Sequence, residues 1–199
     1  MAEISSEMNL SENKILYKQV VLPFALAASV LLFVFTCILY AFGESPLGNQ
    51  FLGGWRDADL LLLLVVVTLM LVRFNFAAKQ TPLYWDAFLA AFVCYLIALL
   101  LYLIFTWVWI SIDKNLLTTY TNDAISFVKN HEKEFIEKVG KDNFYKTIVS
   151  LQHISPNDFF LDQLIKKGAA GIFIAAFLAV LFRLAGFISY RASKTPAQS

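Results

Sequence analysis

The sequence predicts an all-α integral membrane protein, a four-helix bundle with a small helical extracytoplasmic segment between its third and fourth spans. Three observations predict it. Hydrophobic residues make up 59% of the 199-residue chain and charged residues 16%, against about 45–50% and about 25% in an average soluble domain. The apolar residues gather into four runs of the length a bilayer requires, about 20 residues each. Within each run they are continuous rather than alternating, which excludes membrane strands; open sheet edges are also barred from lipid.

Gln19 to Phe42 is the first run. Its leader, residues 1–18, carries Glu3, Glu7 and Glu12 rather than a short basic stretch, and the run exceeds a signal-peptide core, so a retained helix is expected. Pro23 falls near its start, where a missing N–H is tolerated best. Leu60 to Ala78 is the second run, after an outer loop over 43–59. A connection over 79–84 leads to the third, Trp85 to Ile112, long enough to tilt or protrude. Gly168 to Phe187 is the fourth, and residues 188–199 form a tail.

Threading follows the lysines and arginines beside the spans. With both termini cytoplasmic, Lys14, Lys18, Arg73, Lys79, Arg183, Arg191 and Lys194 all lie inside. The first outer loop then holds only Arg56. Asp113 to Lys167 also lies outside; its eight lysines and eight acids carry little vote because long loops cross largely regardless of charge. Lys166 and Lys167, flanking the fourth span on that side, run against the rule. Trp55, Trp107, Trp109 and Tyr40 form one interfacial belt, and Tyr17, Tyr84, Trp85 and Tyr190 the other.

The outer segment reads as two or three amphipathic helices that cover the mouth of the bundle, lie in the headgroups, or offer a docking surface. Leu117, Tyr120, Ala124, Phe127, His131, Phe135 and Val139 recur at helical spacing as one face. Gly140 stops that helix, and Asp142 is placed to cap a short second one. Ser155-Pro156-Asn157-Asp158 has the form of a helix start, and the helix it opens is expected to run into the fourth span with Asp162 and Lys166 as an i,i+4 pair.

Candidate functional residues fall into three groups. Arg73 and Arg183, with Lys79, either snorkel to the interface or grip an anionic lipid headgroup. Gly171, Ala175 and Ala179 in the fourth span, and Ala87, Ala91, Cys94 and Ala98 in the third, form small-residue stripes suited to packing of these two helices or to a partner helix. Arg56, Asp57 and Asp59 form a polar cluster beside the second span, fit for acid–base chemistry or for the N-terminus of a solvated helix.

Other chemistry finds no pattern. Cys37 and Cys94, read as small packing residues, lack metal or redox spacing. Their depths differ by roughly 13 Å, beyond the roughly 7 Å a disulfide spans. His131 and His153 with scattered acids make no metal motif, and no nucleophile elbow or phosphate loop occurs, so no cofactor is expected. The net charge of +1 supplies no field for nucleic acid.

Several segments carry a family resemblance. Ser45-Pro46-Leu47-Gly48-Asn49 follows the first span, Arg73-Phe74 closes the second, and Leu83-Tyr84-Trp85-Asp86-Ala87-Phe88 enters the third. Ser155-Pro156 through Asp162 leads to a glycine-bearing span ending Leu181-Phe182-Arg183. From about Lys14 to Phe187 the chain resembles the four-helix inner-membrane proteins of Bacteroidota grouped as domain-of-unknown-function family 4199. The resemblance implies the topology, an inner-membrane address, and an association with lipid-linked sugar transfer; it supplies no activity. The expectation is a non-enzymatic accessory or scaffold subunit that partners membrane lipid and other integral subunits or itself. The alternative is a binder or carrier of lipid-linked or small amphiphilic molecules. A membrane-embedded enzyme would need the Arg56–Asp57–Asp59 group or the histidines to line one pocket.

Overall fold

The computed structural model describes residues 15–42, 58–77 and 84–194, with side chains through 184. Four helices are long and apolar enough to cross a membrane. The first, α1 (Leu22–Ala41), is entered through a π-helical turn, Tyr17–Val21. Pro23 explains that turn: it has no N–H to give, and its ring crowds the carbonyl four residues back. The preceding backbone widens instead, and the Leu22 N–H bonds to Tyr17 O, five residues back. The second span is α2 (Ala58–Ala77) and the third α3 (Tyr84–Ile112).

Asp113 ends α3 and starts α4 (Lys114–Asn130). Its N–H closes the last turn on Trp109 O at 2.8 Å, while its carboxylate accepts from Asn115 N at 3.0 Å. Two further short helices, α5 (Glu132–Val139) and α6 (Lys141–Gln152), complete a cap. Gly140 separates them at φ +83° and ψ 157°, a conformation open essentially to glycine alone. The last span is the inner part of α7 (Pro156–Lys194). Its start is reciprocal: Ser155 Oγ accepts from Asp158 N at 3.2 Å, and Asp158 Oδ2 accepts from Ser155 N at 3.0 Å.

Two details of the cap differ from expectation. The buried row of α4 is Leu116, Tyr120, Ala124 and Val128, so Phe127 and His131 stand to one side of it. Docking follows the four-residue row inclined to the helix axis, and the helix breaks at His131 before Phe135 and Val139 can join that row. His131 Nδ1 meets Phe127 O at 3.0 Å and its ring stacks on Phe127 at 4.1 Å. Asp142 lies inside the first turn of α6, where Gly140 holds the cap position, so it complements the helix dipole instead of capping.

The hub of the bundle is α3, which packs on α1, α2 and α7. No hydrophobic force drives helices together inside lipid, so close fit does. Ala87, Ala91, Cys94 and Ala98 on α3 and Gly171, Ala175 and Ala179 on α7 are buried, and α3–α7 is the most extensive seam in the molecule. Trp107 Nε1 donates to Asn157 Oδ1 at 2.9 Å at one end of it. Outward-facing residues such as Leu61, Val65 and Phe105 are large and apolar, as lipid contact requires. At the cap end Tyr40, Phe33, Phe105 and Trp109 form an aromatic cluster with centroids 5.3–5.7 Å apart. Tyr40 also donates to Asp113 Oδ2 at 3.1 Å, tying α1 to the α3–α4 corner. An even number of spans places the ends of α1 and α7 nearest the chain termini opposite the cap.

Candidate functional site: a charge pair within the bundle

Asp59 stands in the first turn of α2, and Lys167 in α7. The carboxylate Oδ2 and the ammonium Nζ form a direct ion pair, with side chains only 14% and 17% exposed. The pair lies well inside the bundle. Lys167 Nζ sits over the Tyr102 ring, 5.4 Å from its centroid, and Lys167 O accepts from Tyr95 Oη at 2.7 Å. Tyr102 precedes Trp107 by five residues, which puts the pair ~7.5 Å deeper than the tryptophan belt at 1.5 Å rise per residue.

Gly171 makes this arrangement possible. A Cβ there would come within 3.0 Å of the Tyr95 ring, so only glycine lets the ring lie flat on α7. The tyrosine hydroxyl then reaches the carbonyl of Lys167, one turn away on the same helix face. Lys167 is thereby turned inward, whereas its neighbour Lys166 points outward and pairs with Asp162 at 2.8 Å. This resolves the charge bias on that side of the fourth span: Lys167 is neutralised by Asp59 and Lys166 by Asp162.

More polar groups line the same level. Thr36 Oγ1 stands 2.8 Å from Leu32 O and 3.2 Å from Tyr102 Oη. The threonine has one proton and gives it to the carbonyl, so the phenol donates to the threonine oxygen. Thr106 Oγ1 donates to Tyr102 O at 2.9 Å. Gln163, one turn from Lys167, is 2% exposed, and its Nε2 has no hydrogen-bond partner among the described residues.

The other sequence candidates are placed apart from this cluster. Asp59 is the one member of the Arg56–Asp57–Asp59 group within the described residues, and it faces Lys167 rather than solvent; Arg56 and Asp57 lie outside them. Arg73 and Arg183 stand exposed toward the terminal ends of α2 and α7, and neither has an ion pair or hydrogen bond among the described residues; Lys79 lies outside these. His131 and His153 belong to separate breaks in the cap. Among the described residues no three His, Cys, Asp or Glu side chains gather as metal ligands. Sequence reasoning missed Gln163, Tyr102 and the Asp59–Lys167 pairing. The available signal was the four-residue spacing of Gln163, Lys167, Gly171 and Ala175, which sets both polar residues on the small-residue face of α7.

No curated protein and no solved structure matches the chain. A family model described as "Protein of unknown function (DUF4199)" matches residues 23–183, a stretch that reaches all four spans and holds the cap and the charge pair. The chain belongs to that family.

Proposed function

We propose that the chain is a non-enzymatic accessory or scaffold subunit of a larger inner-membrane assembly, with its termini cytoplasmic and α4–α6 on the far side. One observation carries this reading: α7 is fastened along one flank only. Its membrane-crossing stretch is 22% buried, against 44% for α3. The free flank presents Phe173, 76% exposed, and Phe177, 59% exposed, one turn apart. Large rigid side chains beside a pre-anchored helix suit a second membrane-spanning helix, because the anchored partner loses little freedom on docking. A photo-crosslinking residue at Phe173 or Phe177 should capture a discrete membrane partner in native membranes, while the same residue at Leu61 on α2 should not. Capture of lipid alone, with recovery as a lone monomer in mild detergent, overturns the proposal.

A second reading, a binder of lipid-linked or small amphiphilic molecules, draws on Arg73 and Arg183. Both are exposed toward one end of the bundle, and neither is neutralised by a described residue. Their guanidinium groups suit a lipid phosphate. Replacing both with alanine should deplete co-purified anionic lipid; unchanged retention rejects this reading.

A further inference from the structure

The cap is held at the level of the tryptophan belt from both of its ends. Had α4 continued upright from α3, Tyr120 would stand ~10 Å above Asp113 at 1.5 Å rise per residue. Instead its ring meets Phe159 at 5.2 Å, and Phe159 is two residues past Asn157, the partner of Trp107. So α4 lies across the end of the bundle, with Leu116 and Tyr120 packed on Ile110 and Phe159. At the other end only His153, Ile154 and Ser155 separate α6 from Pro156. Four Cα steps reach at most ~14 Å, and Ile154 packs on the same cluster. The C-terminal end of α6 therefore also lies near Trp107.

Leu116, Tyr120, Ala124 and Val128 form one buried row along α4. The first half of the row meets the bundle. The second half is left for α6, which packs along α4 and buries Phe144. Both halves share a face, so α6 lies on the bilayer side of α4. It packs on α4 and α5 rather than on a span, which sets it beside the bundle end and not over it. We propose that α6 lies in the phospholipid headgroup layer of the leaflet on the cap side, with the row Lys141, Tyr145 and Val149 against the lipid. The three stand one turn apart and are exposed, Tyr145 at 51% and Val149 at 53%. They suit the place: a tyrosine ring belongs at the boundary with its hydroxyl among the headgroups, and a lysine stem lies on apolar surface while its ammonium reaches phosphate. The row continues the belt of Trp107, Trp109 and Tyr40 outward from the bundle. The face of α4 opposite its buried row is Thr118, Asn122 and Ser126, all exposed and all polar, as contact with water requires. An amphipathic helix tethered at both ends needs little apolar area to stay in the interface. This assignment does not rest on a protein partner or on Arg73 and Arg183.

The test uses the full chain reconstituted in vesicles of equal parts phosphatidylethanolamine and phosphatidylglycerol, with a photo-crosslinking residue placed singly at Tyr145, Val149 or Asn122. All three positions are exposed, so the replacement leaves the packing intact. After illumination the adducts are identified by mass spectrometry. Positions 145 and 149 should capture phospholipid several-fold more often than position 122, which should react chiefly with water. Equal capture at the three positions overturns the proposal. So does an adduct of 145 or 149 to a second copy of the chain, to its own residues 43–57, or, in native membranes, to another protein. Should a substituted chain fail to fold, solid-state NMR on the unaltered protein decides. Side-chain ¹³C-labelled tyrosine and valine on α6 should show contacts to lipid ³¹P and glycerol, and contact of Tyr145 and Val149 with water alone refutes the assignment.

Discussion

Replacing Gly171 with alanine should loosen the α3–α7 seam although alanine is the better helix former. Helix propensity alone favours the change by about 1 kcal/mol. Against it, the new methyl would lie within 3.0 Å of the Tyr95 ring. Overpacking of this kind costs about 1–3 kcal/mol. If the ring swings away to relieve it, the Tyr95–Lys167 hydrogen bond is lost as well, a further ~0.5–1.5 kcal/mol. The balance is a net loss of about 0–2 kcal/mol with the hydrogen bond kept and about 0.5–3.5 kcal/mol with it lost, the propensity gain offsetting part of the packing cost. The assay is reversible unfolding in mixed micelles, followed by circular dichroism. Tyr95→Val supplies the control, because without the ring Gly171→Ala should show only its propensity gain. A stabilising effect of Gly171→Ala in the unaltered background would refute the packing argument, as would an equal loss in the Tyr95→Val background.

Three other perturbations separate the remaining contributions. Asp59→Leu or Lys167→Met alone should cost about 3–5 kcal/mol by stranding a buried charge, while the double substitution should recover most of the loss; the same unfolding assay checks both. Gly140→Ala meets no atom within 4 Å, yet should destabilise the cap by about 1–3 kcal/mol through backbone strain. Faster hydrogen exchange in α5 and α6, with the spans unchanged, would show it. Ser155→Ala removes the reciprocal cap of α7 and should cost about 1 kcal/mol, read as faster exchange at the amides of residues 157–159.

The spans were legible because hydropathy in lipid is a one-dimensional property of the chain: a long apolar run needs no knowledge of its neighbours. The start of α7 was equally legible, since Ser155, Pro156 and Asp158 act within one turn. The stripes of Gly171, Ala175 and Ala179 and of Ala87, Ala91 and Ala98 could be listed, and the structure buries both on the seam between the two helices. The charge pair could not be read. Asp59 and Lys167 lie 108 positions apart, and adjacent lysines differ by only about 100° around a helix. Which of Lys166 and Lys167 turns inward is decided by the Tyr95 ring resting on Gly171, a tertiary contact. The rotation of α4 was illegible for the same reason. Rows through Leu117 and through Leu116 are both apolar, and docking against Phe159 and Ile110 selects the second.

The most direct test of the membrane bundle is the sidedness of its polar parts. With Cys37 and Cys94 replaced by alanine, single cysteines at Glu134 in α5 and Ala192 near the end of α7 are challenged with a membrane-impermeant maleimide on intact cells or spheroplasts, before and after permeabilisation. The fourth crossing lies between the two positions and places them on opposite faces, so one should label at once and the other only after the membrane is opened. Equal labelling of both in the sealed preparation would contradict the threading and, with it, the placing of the Asp59–Lys167 pair at membrane depth within the bundle.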